Sequence, residues 1–181
     1  MKPINTVYKG YRFRSRLEAK WAVFLTELGI EWLYEHEGYE LDDGTYYLPD
    51  FFLPKFHGGM YVEVKPVTLT IEENQKCRDL CFESGLDVWR AEGMPDIKGY
   101  VCLRRFQDEE TGEYGVMYYY GVPNADAMEG KNGMMVEPGY VRYEDGIITE
   151  MYYDCLGKTF LSAVRKAKQV RFEHGENPKI D

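Results

Sequence analysis

Residues 48–65 read Leu-Pro-Asp-Phe-Phe-Leu-Pro-Lys-Phe-His-Gly-Gly-Met-Tyr-Val-Glu-Val-Lys. Two short apolar runs, 48–53 and 60–65, are separated by Pro54 and the pair Gly58-Gly59, which is the turn chemistry of a hairpin. Side chains alternate along a strand, so Val62 and Val64 take one face of the second run while Tyr61, Glu63 and Lys65 take the other. An acid and a lysine therefore share one face of a strand otherwise suited to a core. Pairing the first run beside it brings Asp50 into the same neighbourhood. Pro49 has no amide to give to a ladder, which bends its strand or sets it near an edge, with Asp50 beside open space. Two carboxylates and an ammonium form a donor set suited to a hard cation, since Mg²⁺ takes oxygen ligands and keeps several waters. Each residue also has a plainer reading. Asp50 alone is a turn or strand-end aspartate, and Glu63 with Lys65 is an exposed salt bridge of little energetic weight.

Upstream, Tyr8-Lys9-Gly10-Tyr11-Arg12-Phe13 predicts a short strand or hairpin leading into a helix over 16–28. Leu17, Trp21, Phe24, Leu25 and Leu28 recur at helical spacing as its buried stripe, and Gly29 supplies the stop. Ser15 is the natural N-cap. Glu18, three residues on, is either its capping-box partner or a helper at a metal site, and the two roles are compatible. Residues 30–35 predict a strand, and Asp42-Asp43-Gly44 a tight turn. Downstream, Pro66 ends the strand after Lys65. Thr70 caps a helix over 71–84 with Glu72 and Glu73 in its first turn, and Gly85 ends it. Cys77 and Cys81 share a face of that helix and read as small buried residues. Residues 86–91 return as a strand.

The order of these pieces carries a resemblance. Ser15-Arg16-Leu17-Glu18 on a helix, Pro49-Asp50, Glu63-Val64-Lys65 after a short hairpin and then a further helix resemble the PD-(D/E)xK nuclease superfamily, over about residues 8–90. The resemblance implies an α/β fold with a mixed sheet, built on the restriction-endonuclease-like αβββαβ core, here residues 1–95. It implies Asp50 and Glu63 as metal ligands with the Val64 carbonyl as a further one. Lys65 would orient the attacking water or stabilise developing charge, and Glu18 would hold a second metal or a metal-bound water. The implied cofactor is Mg²⁺, with Mn²⁺ as a substitute, and a homodimer is a common arrangement among such proteins. The Q-x-x-x-Y motif of some members fails here, because Gln75 is followed four residues later by Asp79.

Residues 96–157 predict short antiparallel strands at 100–104, 114–121, 133–136 and 140–143, as an elaboration of the sheet or a small subdomain. Tyr118-Tyr119-Tyr120 fits a half-buried strand better than a base-stacking platform. A third segment, 158–181, predicts a basic helix over 159–172 that packs on the core through Phe160, Ala163, Val164, Ala167 and Val170, followed by a frayed tail from 174. Gly157-Lys158-Thr159 is not the end of a P-loop, since Tyr152 stands where that motif needs its first glycine.

The chain of 181 residues suits one domain with an elaboration, and its net charge is −9. That sign argues against nucleic acid only until its distribution is read. Lys2, Lys9, Arg12, Arg14, Arg16 and Lys20 face the single acid Glu18 near the start, and Lys158, Arg165, Lys166, Lys168 and Arg171 form an acid-free stretch near the end. Arg12, Arg14, Arg16, Arg165, Lys166, Lys168 and Arg171 are the candidate phosphate contacts, against a plain reading as solvated helix faces. No apolar run reaches the length of a membrane span, and residues 1–11 lack a secretory apolar segment, which predicts no membrane partner. Four cysteines (Cys77, Cys81, Cys102, Cys155) without a C-x-x-C pair read as reduced thiols of a cytoplasmic protein. G-x-S-x-G is missing, and His36, His57 and His174 have no metal-ligand spacing. The sequence thus predicts a metal-dependent nuclease acting on DNA rather than RNA. Its rivals are a catalytically idle nucleic-acid-binding module, and an interaction or inhibitor factor that uses the acidic, tyrosine-rich second half.

Overall fold

Ser15 opens the first helix: its hydroxyl accepts the Glu18 amide at 3.2 Å, and α1 (Arg16–Glu27) follows. In the computed structural model, which describes residues 6–97, 100–124, 134–136, 140–144, 147–152 and 158–172, a hairpin of β1 (Thr6–Tyr8) and β2 (Tyr11–Phe13) leads into this helix. Beyond α1 come β3 (Leu33–Tyr34) and a two-stranded hairpin of β4 (Tyr39–Glu40) and β5 (Tyr46–Tyr47). Then follow β6 (Phe51–Leu53), β7 (Met60–Lys65), α2 (Ile71–Ser84), β8 (Asp87–Glu92), β9 (Tyr100–Gln107), β10 (Tyr114–Asn124) and β11 (Met134–Val136). A hairpin of β12 (Tyr140–Glu144) and β13 (Ile147–Tyr152) precedes α3 (Lys158–Gln169).

The main sheet runs β11-β10-β9-β8-β7-β6-β3. β11 joins it only at the far end of β10, through Val122–Asn124, so six strands make its body. Only β7 and β8 pair parallel, and α2 is the crossover between them, as a parallel pair requires. The fold is therefore a mixed α/β one, with a mixed sheet and three described helices. Strand alternation divides the core in two. Phe51, Leu53, Met60, Val62, Val64, Trp89, Ala91 and Cys102 pack with α1 and α3, whereas Val88, Leu103 and Val116 pack with Cys77, Leu80 and Cys81 of α2. β9 and β10 continue the sheet in antiparallel fashion, as the sequence predicts for the segment after 96.

Helix α1 is buried on more sides than its stripe predicts. Ala19, Trp21, Ala22, Val23, Phe24 and Leu25 are all buried, because α3 covers the side turned away from the sheet. Phe160 meets Phe24 edge-on at 5.6 Å. Trp21 stands against Trp89 and Tyr100, with ring centroids 5.3 Å away in each case, and its indole N–H donates to the Gly93 carbonyl at 2.9 Å.

Several predicted boundaries are corrected. The strand expected over 30–35 shrinks to Leu33–Tyr34: the Ile30 amide still closes on the Leu25 carbonyl, and Glu35 leaves the extended region at φ +43. The run 48–53 is shortened, since the ladder of β6 begins only at Phe51, and Tyr46–Tyr47 before it pairs with Tyr39–Glu40. Thus β6 lies between β3 and β7, and β3 holds the edge. The predicted strand over 140–143 pairs with β13, which the sequence reading passed over. The last helix ends at Gln169 rather than 172. Residue 133, Cys155 and the predicted tail from His174 lie outside the described residues. Cys77, Cys81 and Cys102 are free and buried, and no described helix is long and apolar enough to cross a membrane.

Candidate functional site

The register of β6 on β7 sets Phe51 opposite Val62, so one step further Asp50 falls opposite Glu63 on the face that α2 covers. Oδ2 of Asp50 accepts the Val64 amide at 2.8 Å, and Oδ1 meets Nη2 of Arg14 at 3.0 Å. Glu63 pairs through Oε1 with the Lys65 ammonium at 2.9 Å, while its Oε2 is buried without a well-aligned hydrogen bond, near the Tyr47 hydroxyl. Lys65 also reaches Oε1 of Glu73, 3.3 Å away, in the first turn of α2. That glutamate belongs to a capping box with Thr70, so the cap that starts α2 also anchors the lysine. Asp50 and Glu63 are only 5% and 6% exposed. Asp50 is thus not the open-edge residue that Pro49 suggested; β3 covers the edge and Arg14 caps its outer oxygen.

Burial raises the Asp50 carboxyl first, the neighbouring charges of Glu63 and Glu18 add to that, and the Val64 amide with Arg14 pulls it back. The result is a carboxyl pushed up to about 8. Two acids this close resist ionising together, so below that value the cluster keeps a proton. Lys65 is drawn down by burial but drawn up more by Glu63, Asp50 and Glu73, which holds it as an ammonium. Beside Glu63, the Tyr47 hydroxyl lies 3.4 Å from Cys77 Sγ, and burial pushes that thiol up to about 12, so it stays neutral.

Glu18 lies at the rim of the same cluster. Its Oε2 accepts the Tyr34 hydroxyl at 2.5 Å and the Arg14 amide at 3.1 Å, and Oε1 accepts the Ser15 hydroxyl at 2.6 Å. The capping box expected at this helix is therefore modified. Ser15 caps as predicted, but the glutamate takes the Arg14 amide in place of the Ser15 amide. Both Glu18 oxygens are held by donors, and its negative charge is felt at Asp50.

Sequence reasoning missed Tyr34 and Glu35, and it did not see the acidic partners of Arg14. The Arg14 guanidinium, read as a phosphate contact, lies between Asp50 and Glu35, with Nε 2.6 Å from Glu35 Oε1. Glu35 occupies the left-handed region at φ +43, which costs a non-glycine residue about 1–2 kcal/mol. Its amide donates to the Asp50 carbonyl at 2.9 Å, so the strained residue is tied to the acid with which it shares Arg14. Nothing in the local sequence signals this, since the contact joins elements fifteen residues apart.

The remaining candidates are not all gathered here. Arg12 and Arg16 are exposed at the entrance to α1. On α3, Lys166 pairs with Glu27 at 2.5 Å and Lys168 with Asp96 at 2.9 Å, leaving Arg165 and Arg171 exposed. Glu27 is nine residues beyond Glu18, about 13 Å along the helix axis. Gln75 donates to Asp79 at 2.7 Å on the surface of α2. The side chain of His57 lies outside the described residues.

As a donor set for a hard cation, the cluster offers two buried carboxylates on one face. Among the described residues no group of three His, Cys, Asp or Glu side chains is gathered to hold a metal ion. A cation between Asp50 and Glu63 would thus complete its shell with the Val64 carbonyl, water or substrate oxygens, the habit of Mg²⁺. Val64 itself meets Asp50 through its amide. Comparison of the chain with protein-family models, with curated proteins and with solved structures yields no match.

Proposed function

We propose that the protein hydrolyses phosphodiester bonds, in DNA rather than RNA, with a Mg²⁺ or Mn²⁺ ion held between Asp50 and Glu63. In this reading α1, β3, β6, β7, α2 and β8 form a restriction-endonuclease-like core, whose element order is the one the motif resemblance implies. One observation carries it: two buried carboxylates lie near enough for the charge of Glu63 to raise Asp50, and the groups set against them are the cations of Arg14 and Lys65.

Bound there, the ion supplies an activated water and neutralises charge at the phosphate. The chain's own residues do the rest. The Val64 amide fixes the Asp50 carboxylate in one orientation. Lys65, kept protonated, directs its ammonium at the negative charge that develops on the phosphate and does not act as a base. Arg14, with 57% of its side chain exposed, has room to leave Asp50 for a substrate phosphate. Glu18 adds negative charge that strengthens the cation site and orders Tyr34 and the Arg14 backbone.

A second reading is an idle DNA-binding module, favoured by the way Arg14 and Lys65 already balance Asp50 and Glu63. Incubation with plasmid and single-stranded DNA in Mg²⁺, Mn²⁺ or chelator separates the two. Cation-dependent cutting that disappears in Asp50→Ala and Glu63→Gln supports hydrolysis. DNA binding without cutting selects the idle module, and variants that cut like the parent move the activity elsewhere.

A further inference from the structure

Beside the acidic pair lies a hollow of about 170 Å³, lined by His36, Glu37, Pro49, Phe51, Phe52 and Tyr61. It is aromatic on several sides. The rings of His36 and Phe52 are within 11° of parallel, with centroids 6.3 Å apart, so a planar guest that stacks on one lies parallel to the other. Phe52 and Tyr61 are a cross-strand pair at 5.1 Å. An apolar cavity of about 150 Å³ admits benzene, so this volume suits one planar ring system. His36 and Glu37 are exposed and leave that side open to solvent. Glu37 adds a carboxylate, which accepts hydrogen bonds and offers none.

The position of the hollow matters as much as its chemistry. Tyr61 and Glu63 share a face of β7 two residues apart, about 7 Å, and Pro49 immediately precedes Asp50. A ring seated here is one nucleotide's reach from a phosphate held at Asp50 and Glu63.

We propose that this hollow takes one nucleobase of the substrate strand, stacked on Phe52 and His36 and read by Glu37 at its exocyclic amino group. The inference rests on the nucleic-acid reading of the acidic pair and adds a preference to it. Cytosine, adenine and guanine carry an amino donor that Glu37 can accept, whereas thymine presents a carbonyl in the corresponding place and is repelled. Stacking on aromatic side chains tolerates every base, so the carboxylate alone supplies the discrimination.

The test is fluorescence anisotropy of the intact protein with short labelled single strands, in chelator so that cutting does not interfere. The strands are a cytosine run, a thymine run and an abasic strand of equal length. The parent binds the cytosine run about tenfold more tightly than the abasic strand and several-fold more tightly than the thymine run. His36→Ala, at an exposed position, reduces cytosine affinity about tenfold and leaves abasic binding and the melting temperature unchanged. Glu37→Gln narrows the gap between cytosine and thymine without reaching the abasic level. Equal parent affinity for the three strands, or His36→Ala indistinguishable from the parent, overturns the proposal. A parent that binds no strand overturns it together with the nucleic-acid reading. Parallel incubation with Mg²⁺ separates the two ideas. Base-dependent binding without cutting keeps the pocket and ends the hydrolase, and cutting with base-independent binding does the reverse.

Discussion

Replacing Asp50 by asparagine should change how stability depends on pH before it changes anything else. The Asp50 carboxyl rises from 3.8 to about 8, because burial and the charges of Glu63 and Glu18 outweigh the Val64 amide and Arg14. Between those values the folded chain holds a proton that the unfolded chain has released. Its contribution to stability is thus complete below about pH 4 and is lost as pH rises towards 8. Each pH unit within that window corresponds to about 1 kcal/mol or somewhat more, so going from about pH 5.5 to about pH 7.5 removes on the order of 2 to 3 kcal/mol. For a chain of this size that is a fall of about 5–10 °C in melting temperature. Asp50→Asn has no proton to lose at this position and should flatten the slope by that amount. A bound divalent ion expels the proton, so Mg²⁺ should stabilise the parent more at the higher pH and scarcely affect the variant. Thermal melts of both proteins at the two pH values, with and without Mg²⁺, decide the matter. An equal slope in the variant, or a flat profile in the parent, would refute the buried-carboxyl account.

Four other outcomes are expected. Lys65→Met should slow cutting by about 10²–10³-fold with little change in DNA affinity, because a positioned donor to the phosphate is lost; comparison of kcat with binding measures it. Arg14→Gln frees the buried Asp50 Oδ1 from an exposed guanidinium and removes a positive charge beside it, and calorimetric titration should show Mg²⁺ binding tightened a few-fold. Phe160→Ala empties the contact of α3 with Phe24 and should cost about 3–5 kcal/mol by denaturant unfolding. Gly85→Ala forces a Cβ onto a helix terminus at φ +72, where it meets the Arg105 guanidinium at 3.0 Å; a loss of about 1 kcal/mol or more is the expected reading.

What the sequence could reveal was local. Thr70 with Glu73 caps α2, Gly85 ends it in the left-handed region, and Gly58 and Gly59 turn the chain between β6 and β7 at φ +80 and +109. Each of these signals lies within a few residues of the structure it dictates. Glu63 and Lys65 were legible for the same reason, since a period of two places them on one face whatever lies beside the strand. The features that were not legible need partners from elsewhere. Residues 30–35 have strand character, yet β6 offers β3 a ladder at Phe51 and Phe52 alone. The stripe on α1 marks the face towards the sheet, while burial of its other face depends on α3, more than a hundred residues away.

The same division runs through the candidate site and explains its charge balance. Asp50 and Glu63 could be named from motif and alternation, but their environment comes from β2, β3 and α2, through Arg14, Tyr34, Glu35 and Glu73. An arginine before a helix looks like a surface cation until the fold places Asp50, thirty-six residues later, against its Nη2. Arg14 and Lys65 hold the two acids in place, Arg14 from an exposed position and Lys65 through contacts with both Glu63 and Glu73. If the proposed ion binds, a site arranged this way can fold without it and still offer the buried Glu63 oxygen. Under the proposed hydrolysis, the lysine fixed between strand and helix would be the charge that stays for chemistry, and the more exposed arginine the one that gives way.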